Sequence, residues 1–146
     1  MDTTKGTTMA GRLQGVSVVI VDDDADIAEA MQTALAAEGA AATTVGNGND
    51  AVTVITEQRP QLVVLDMMLP GRSGFLVLEK IKGEADSPIV IMLTANEGRR
   101  HQAYAQSLGV DKYLIKPAPL DHLIDSCREL LDAREAEEKK NKKAKK

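Results

Sequence analysis

Apolar residues along this chain alternate between short continuous runs and longer segments with helical spacing. None of the short runs shows strict alternation of apolar and polar residues, so we expect strands that are buried on both faces. Such strands are typical of a parallel sheet covered by helices on both sides. The runs occupy residues 16–21, 41–45, 62–65, 89–93 and 113–115.

The segments between these runs predict helices. The first ends at Gly39, a predicted left-handed cap. A second is predicted from a cap at Asn49 to about residue 58, before Pro60. A third begins at Gly74 or Phe75 and reaches about residue 83, and a fourth spans residues 99–108 before Gly109. The predicted apolar face of the first helix consists of Ile27, Ala30, Met31, Ala34 and Leu35.

A fifth helix follows the last strand and can continue through the charged residues 133–140. Its predicted apolar face consists of Leu120, Leu123, Ile124, Cys127, Leu130 and Leu131. The pattern is thus five strand and helix units. Right-handed crossovers arrange such units as an open twisted sheet, in which ligands bind beyond the carboxyl ends of the strands.

Size and composition restrict the class of protein. A chain of 146 residues, 43% hydrophobic and 27% charged, fits one globular domain. The single cysteine, Cys127, excludes an internal disulfide and a cysteine-rich zinc site. No apolar stretch approaches the ~20 residues of a membrane span, and the amino terminus has no apolar signal segment. We therefore expect a cytoplasmic protein without a membrane contact.

The net charge of −4 conceals an uneven distribution. Six of the 18 basic residues are lysines within residues 139–146, which leaves 12 basic and 22 acidic residues in residues 1–138, a formal charge of −10. So acidic a domain is not expected to bind nucleic acid directly. The lysine-rich end is interpreted as a solvated, frayed tail; attachment to an anionic surface and a linker to further sequence are the alternatives.

Carboxylates follow two of the apolar runs. Asp22 and Asp23 close the first, and Asp66 closes the third. If these strands are neighbours, the three acids converge and need a cation, for which Mg²⁺ is favoured and Ca²⁺ or Mn²⁺ could substitute. Asp66 alone would be equally compatible with a cap at a strand end. Asp24 stands just before a helix and is assigned to its cap rather than to the metal.

Polar residues also begin the loops after two further strands, Thr94 after the fourth strand and Lys116 after the fifth. Lys116 supplies a compact positive charge that can pair with phosphoryl oxygens or, in their absence, with Asp66. A carboxylate that attacks phosphorus forms an acyl phosphate, so Asp66 can be a nucleophile. The Thr94 hydroxyl can donate to a phosphoryl oxygen, and its movement would leave a gap near Tyr113.

At these residues the chain resembles the receiver domain of bacterial two-component response regulators. The matching segments, in order along the chain, are VVIVDDD, VVLDMMLPGRSG, IMLTAN and YLIKP. The resemblance covers about residues 14–133. It implies a three-layer, doubly wound, flavodoxin-like α/β fold with five helices and five parallel strands in the order 2-1-3-4-5.

The resemblance also implies roles. Asp66 would take phosphate from a histidine kinase or a histidine phosphotransfer protein, Thr94 and Lys116 would contact the phosphoryl group, and Tyr113 would swing inward on activation. The alternative for Tyr113 is simple packing at the edge of the core. The bond before Pro117 would be cis. The magnesium ligands would be Asp22, Asp23, Asp66 and the backbone carbonyl of Met68.

Two positions would tune hydrolysis of the acyl phosphate in this family, and here they are Met68 and Asn96. An apolar methionine cannot orient a water molecule, so slow autodephosphorylation is expected. His101 and His122 fall within predicted helices and are assigned surface or packing roles instead of phosphotransfer. Cys127 lies on an apolar helix face and is assigned to the core.

The leading interpretation is a phosphorylation-controlled binding module, and not an enzyme, whose fourth helix, fifth strand and fifth helix change their affinity for a partner protein. We expect an extension at residues 1–14, a receiver domain at 15–133 and a charged tail at 134–146. A fragment of a longer DNA-binding or enzymatic regulator is the alternative. An aspartyl-phosphate hydrolase would want a second acid at Met68, and a dinucleotide binder would want glycines after the first strand. A receiver that signals without phosphorylation is a further alternative. The only argument against it is that every residue expected at a phosphorylation site is present.

Overall fold

Five parallel strands form a single sheet at the centre of the protein. The computed structural model describes residues 11–84, 86–95 and 98–144. The strands are β1 (Ser17–Val21), β2 (Ala41–Val45), β3 (Leu62–Leu65), β4 (Ile89–Thr94) and β5 (Lys112–Ile115). The order across the sheet is β2-β1-β3-β4-β5, which is the order that the resemblance to receiver domains implies.

Helices cover both faces of the sheet and give the predicted three layers. The helices are α1 (Ala25–Ala37), α2 (Gly48–Gln58), α3 (Gly74–Lys82), α4 (Arg99–Ser107) and α5 (Leu120–Ala144). Buried residues of α1 and α5 join one apolar cluster, and those of α2, α3 and α4 join another on the opposite face. Each of the helices α1 to α4 connects two strands that run in the same direction, as a crossover must, and α5 follows the last strand.

Burial differs between central and edge strands. Every residue of β3 and β4 is buried, and so is β1 after its first residue. The expectation that all five strands are buried on both faces is wrong for both edge strands. Ala41 and Thr44 of β2 are exposed, and in β5 Leu114 is buried while its three other residues are partly exposed. The reason is position in the sheet, because an edge strand has a neighbour on one side only, and a short apolar run does not reveal which strands are at the edges.

Two details of the helices differ from the sequence prediction. The cap of α2 is Asn47, whose side chain accepts a hydrogen bond from the backbone N–H of Asp50, and not Asn49. In α1 the predicted core residue Ala30 is exposed, and Ala28 is buried in its place. The spacing of apolar residues did not determine which side of α1 faces the core, because small alanines flank the apolar stripe on both sides.

Both ends of the described chain are more ordered than a loose tail. Leu13 is fully buried in the core, before the predicted domain start at residue 15. The last helix runs without a break to Ala144 and its described lysines up to Lys143 are exposed, so this part of the end is solvated, as expected, and helical instead of irregular. Leu120, predicted on the apolar face, is 38% exposed. Within the described residues, no helix combines the length and the apolar character needed to cross a membrane.

Candidate functional site at the carboxyl edge of the sheet

Strand register places the predicted acids at one edge of the sheet. β1 and β3 are adjacent and parallel, with Val21 paired to Leu65, so the residues that follow them emerge side by side. The backbone N–H of Asp66 donates to the carbonyl of Val21 at 2.9 Å, which ties the start of this loop to β1. Asp22 and Asp66 are both buried despite their charge. Buried carboxylates at this density require positive partners.

Lys116 is that partner for both acids. Its Nζ donates to Asp22 Oδ2 at 2.6 Å and to Asp66 Oδ2 at 3.0 Å. The side chain reaches them from the end of β5, where the backbone N–H of Lys116 donates to the carbonyl of Thr94. The predicted pairing with Asp66 is therefore present, and the pairing with Asp22 is an addition that the sequence did not indicate. The peptide bond between Lys116 and Pro117 is cis, as predicted.

Two opposing effects act on the pKa of Lys116. The largest is burial, which lowers the pKa because it disfavours the charged ammonium group. Hydrogen bonds to Asp22 and then to Asp66, together with their negative charges, act in the other direction and outweigh burial. The pKa is raised above the ordinary value of 10.5, so Lys116 is a permanent cation at neutral pH.

The acids form a group suited to a hard divalent cation. Carboxylate oxygens of Asp22, Asp23 and Asp66 all lie within 4.8 Å of one another. Asp22 and Asp66 are buried while Asp23 is exposed, which leaves the group open to solvent on one side. Three carboxylates and one ammonium group leave a formal charge of −2 at the site. Oxygen donors with this charge fit Mg²⁺, which retains several water ligands.

The remaining carboxylate oxygens accept backbone hydrogen bonds. Asp22 Oδ1 accepts from the N–H of Asp24 at 2.9 Å, and Asp66 Oδ1 accepts from the N–H of Met68 at 3.2 Å. Asp24 caps α1, as predicted, because its Oδ1 accepts from the N–H groups of Asp26 and Ile27. The two buried acids are therefore held in orientation by the loops that carry them.

Thr94 and Tyr113 lie on the same face of the sheet beside this group. Thr94 pairs with Ile115 and Met92 pairs with Tyr113, so Thr94 and Tyr113 are diagonal neighbours on adjacent strands. Thr94 is fully buried. Tyr113 packs against the apolar cluster beneath α3 and α4. Burial raises the pKa of Tyr113 above 10.0, and the negative charge of Asp66 raises it further.

Comparison with known proteins decides the family of this chain. Residues 18–128 match the family described as the response regulator receiver domain. The chain belongs to that family. It is 38% identical over 118 residues to a Mycobacterium tuberculosis protein described as "probable transcriptional regulatory protein TcrX", and the match covers 81% of this chain and 50% of that protein. The chain thus spans about half the length of this curated relative.

Solved receiver domains have the same fold. The CheY-like response regulator receiver domain protein from Methanospirillum hungatei JF-1 superposes with a TM-score of 0.80 at 26% identity, over 84% of this chain and 98% of that one. The receiver domain of Francisella response regulator 1452 gives a TM-score of 0.75 at 28% identity, over 82% and 98%. These likenesses and the family match make the protein a receiver domain of the two-component type.

Several residues named from the sequence lie apart from the receiver site. His101 is exposed and stacks on Phe75, with 6.0 Å between ring centroids, and His122 is exposed on α5. Cys127 is fully buried, and burial raises the pKa of its thiol to about 12. These placements agree with the surface or packing roles predicted for the two histidines and with the core position predicted for Cys127. The prediction for Asn96 falls outside the described residues.

Sequence reasoning named Gly74 as a possible start of the third helix but missed its role in fixing the loop after β3. The backbone N–H of Gly74 donates to the carbonyl of Met67 at 2.9 Å, and a Cβ on Gly74 would lie 2.2 Å from the carbonyl oxygen of Asp66. Only glycine permits this approach of α3 to the strand end. A glycine at the first position of a helix, eight residues after a candidate nucleophile, was the available signal.

Proposed function

We propose that Asp66 is the phosphoacceptor of this receiver domain and that its phosphorylation alters a surface that binds another protein. The observation that carries the proposal is the paired contact of Lys116 with Asp22 and Asp66 at a group of three acids. In this arrangement one carboxylate can be the nucleophile while the others and the lysine offset charge on a phosphoryl group.

The proposed donor is the phosphohistidine of a sensor histidine kinase or of a histidine phosphotransfer protein. A carboxylate oxygen of Asp66 attacks phosphorus, an O–P bond forms and the N–P bond to the imidazole breaks. The freed imidazole nitrogen takes a proton from solvent. The ammonium group of Lys116, already within 3.0 Å of Asp66 Oδ2, is placed to pair with a phosphoryl oxygen as charge builds on it.

Mg²⁺ is the proposed cofactor, and Ca²⁺ or Mn²⁺ could substitute. The side chains of Asp22, Asp23 and Asp66 and the backbone carbonyl of Met68 would hold it. When bound, the cation supplies positive charge to the phosphoryl oxygens. Its arrival would also loosen the contacts of Lys116 with the acids, because both cations compete for the same carboxylates.

The proposed switch consists of Thr94 and Tyr113. The Thr94 hydroxyl donates to a phosphoryl oxygen on Asp66, and Tyr113 moves inward beside it. Support comes from their shared face of the sheet and from the effect of Asp66 on the pKa of Tyr113. The partner surface then comprises α4, β5 and α5, and its rearrangement could also drive dimerisation.

Met68 bears on the lifetime of the acyl phosphate. The residue is 67% exposed at the rim of the site, and its apolar side chain cannot orient an attacking water molecule. We therefore propose slow autodephosphorylation, tuned together with Asn96. The change Met68→Ala should shorten the lifetime if the methionine shields the phosphoryl group, and an unchanged lifetime would remove this idea.

A second arrangement has the same site inside a longer regulator. It is favoured by the match of this chain to half of a transcriptional regulatory protein. The receiver domain would then control a DNA-binding or enzymatic domain instead of a separate protein. In either arrangement we propose a cytoplasmic location, no direct contact of the receiver domain with nucleic acid or membrane, and no catalysis beyond its own phosphorylation and dephosphorylation. The boundaries proposed for the domain remain 15–133.

Incubation with acetyl phosphate and Mg²⁺, followed by intact-mass analysis, tests the phosphoacceptor. Wild type should gain one phosphate, and the gain should be lost on Asp66→Asn and on chelation of the metal. The change Asp24→Asn is the matched control, since it alters a neighbouring cap carboxylate and should leave the gain in place. A phosphate that persists after Asp66→Asn would disprove the assignment.

A further inference from the structure

The loop that follows Asp66 lies on the first turn of α2. We call residues 67–73 the phosphoacceptor loop. The carbonyl oxygen of Pro70 accepts a hydrogen bond from the backbone N–H of Gly48 at 3.0 Å and another from the N–H of Arg72 at 3.1 Å. The first of these bonds joins the loop to α2, and the second closes a turn within the loop. The contact is between backbones, so no side chain separates the two segments.

Gly48 makes this contact possible. A Cβ on Gly48 would lie 1.8 Å from the carbonyl oxygen of Arg72 and 2.6 Å from its carbonyl carbon. To restore a separation of 3.0 Å, the oxygen would have to move by about 1.2 Å. The obstructing atoms belong to the main chain, and therefore a rotamer change cannot relieve the overlap.

The other end of the phosphoacceptor loop is also held. The Gly74 N–H donates to Met67, and the carbonyl of Asp66 leaves no room for a Cβ on Gly74. Met68 in turn donates its N–H to Asp66 Oδ1. A loop whose two ends are fixed has little conformational freedom. A displacement of the Arg72 backbone is therefore expected to shift Met68 and the Asp66 carboxylate as well.

We propose that Gly48 is a positioning residue for phosphorylation. Because Gly48 has no side chain, the start of α2 can lie directly against the backbone of the phosphoacceptor loop, and this distance fixes the position of Asp66 and of the Met68 carbonyl. The inference rests on the proposed function of Asp66. Gly48 touches neither the phosphoryl group nor the metal, and it acts through the backbone of residues 70–72.

The change Gly48→Ala separates this role from helix propensity. Alanine is the better helix former, so if the site of Gly48 were open, the change would stabilise the protein or leave it unchanged. The overlap with Arg72 predicts a displaced loop instead. Misplacement of a reacting group by about 1 Å can lower a rate by as much as ~100-fold. We expect at least a tenfold lower rate of phosphorylation by acetyl phosphate and weaker binding of Mg²⁺.

Gly46→Ala is the matched control, two residues away. A Cβ on Gly46 would meet nothing within 4 Å, so this variant adds the same methyl group to the same connection without displacing the loop. Wild type, Gly46→Ala, Gly48→Ala and Asp66→Asn are compared by mass-detected phosphorylation rate, by calorimetric Mg²⁺ affinity and by far-ultraviolet circular dichroism, at a temperature where each is folded.

The inference is supported if Gly46→Ala matches wild type while folded Gly48→Ala loses tenfold or more in rate and binds Mg²⁺ more weakly. Rates and affinities of Gly48→Ala within twofold of wild type would overturn it and leave the proposed function intact. Wild type that takes up no more phosphate than Asp66→Asn would overturn both, which is a different outcome.

A second variant covers the case in which Gly48→Ala does not fold. The Asn49 amide lies against Gly71, where a Cβ would be 3.0 Å from Asn49 Nδ2. Asn49→Ala removes this contact between α2 and the phosphoacceptor loop, adds no volume and favours the helix. A two- to threefold lower phosphorylation rate in a folded Asn49→Ala protein would support the positioning role of α2, and an unchanged rate would contradict it.

Discussion

Replacement of Lys116 by methionine tests the electrostatics of the site most directly. The variant keeps an unbranched side chain that is one atom shorter, and it removes the positive charge between Asp22 and Asp66. At an effective dielectric constant of about 20, each ion pair contributes roughly 6 kcal/mol of gross attraction at these distances, most of which is offset by desolvation. Loss of one partner from a buried ion pair typically costs about 3–5 kcal/mol.

We expect the free energy of unfolding to fall by about 3 kcal/mol in the absence of metal, at the low end of this range because the Lys116 side chain retains 15% exposure. Added Mg²⁺ should reduce the difference to roughly 1 kcal/mol, since the cation neutralises the same two carboxylates and binds the variant without competition from the lysine.

The assay is urea unfolding of both proteins with EDTA and with saturating Mg²⁺. Lys112→Met is the control, because within the part of the chain that the structure describes Lys112 forms one ion pair, a long surface pair of 3.9 Å with Glu129, whose loss should cost less than about 0.5 kcal/mol. Two results would refute the reasoning. One is a loss of unfolding free energy for Lys116→Met in EDTA that is no larger than the loss for the control. The other is a loss that Mg²⁺ leaves unchanged.

The same pair of proteins gives a pH test with a defined sign. The pKa of Lys116 in the folded state lies above its ordinary value of 10.5. A raised pKa contributes stability that is fully present below the unfolded value and is lost as the pH rises through the folded value. The stability difference between wild type and Lys116→Met should hold below pH 10.5 and shrink above it, provided both proteins remain folded.

Three further predictions concern residues around the site and the core. In a Tyr104→Phe background, absorbance at 295 nm reports Tyr113 alone, and Asp66→Asn should lower its pKa because the Asp66 charge raises it; an unchanged midpoint would show that the two groups do not interact. Ser126 is buried with a hydroxyl that has no hydrogen-bond partner among the described residues, so Ser126→Ala should raise the free energy of unfolding in urea by about 1 kcal/mol, and a decrease would reveal a missed partner. The single thiol, with its pKa raised to about 12, should react with Ellman's reagent at pH 8 only as fast as the fold opens; immediate full reaction would place Cys127 outside the core.

Local sequence patterns predicted the helices and strands of this fold because each type of element has its own spacing of apolar residues: continuous in buried strands, and every three or four residues in helices. The continuous run at residues 62–65 is a strand, and the cap carboxylate of Asp24 begins a helix, since both depend on neighbours in the chain. The patterns failed where burial depends on remote neighbours. Thr44 is exposed because β2 lies at a sheet edge, and Ala30 is exposed because the rotation of α1 is set by the core beneath it.

The sequence by itself determined which chemical groups stand at the carboxyl ends of the strands: Asp22, Asp23, Asp66, Thr94 and Lys116 each follow an apolar run. Their convergence could be predicted because parallel strands end at the same edge. The tertiary structure decided how they pair. Lys116 bridges two buried acids, and Gly48 and Gly74 allow main-chain approaches of α2 and α3 to the phosphoacceptor loop. Such contacts join segments that are far apart in the chain. A glycine has no side chain, so the sequence contains no pattern from which these contacts could be predicted.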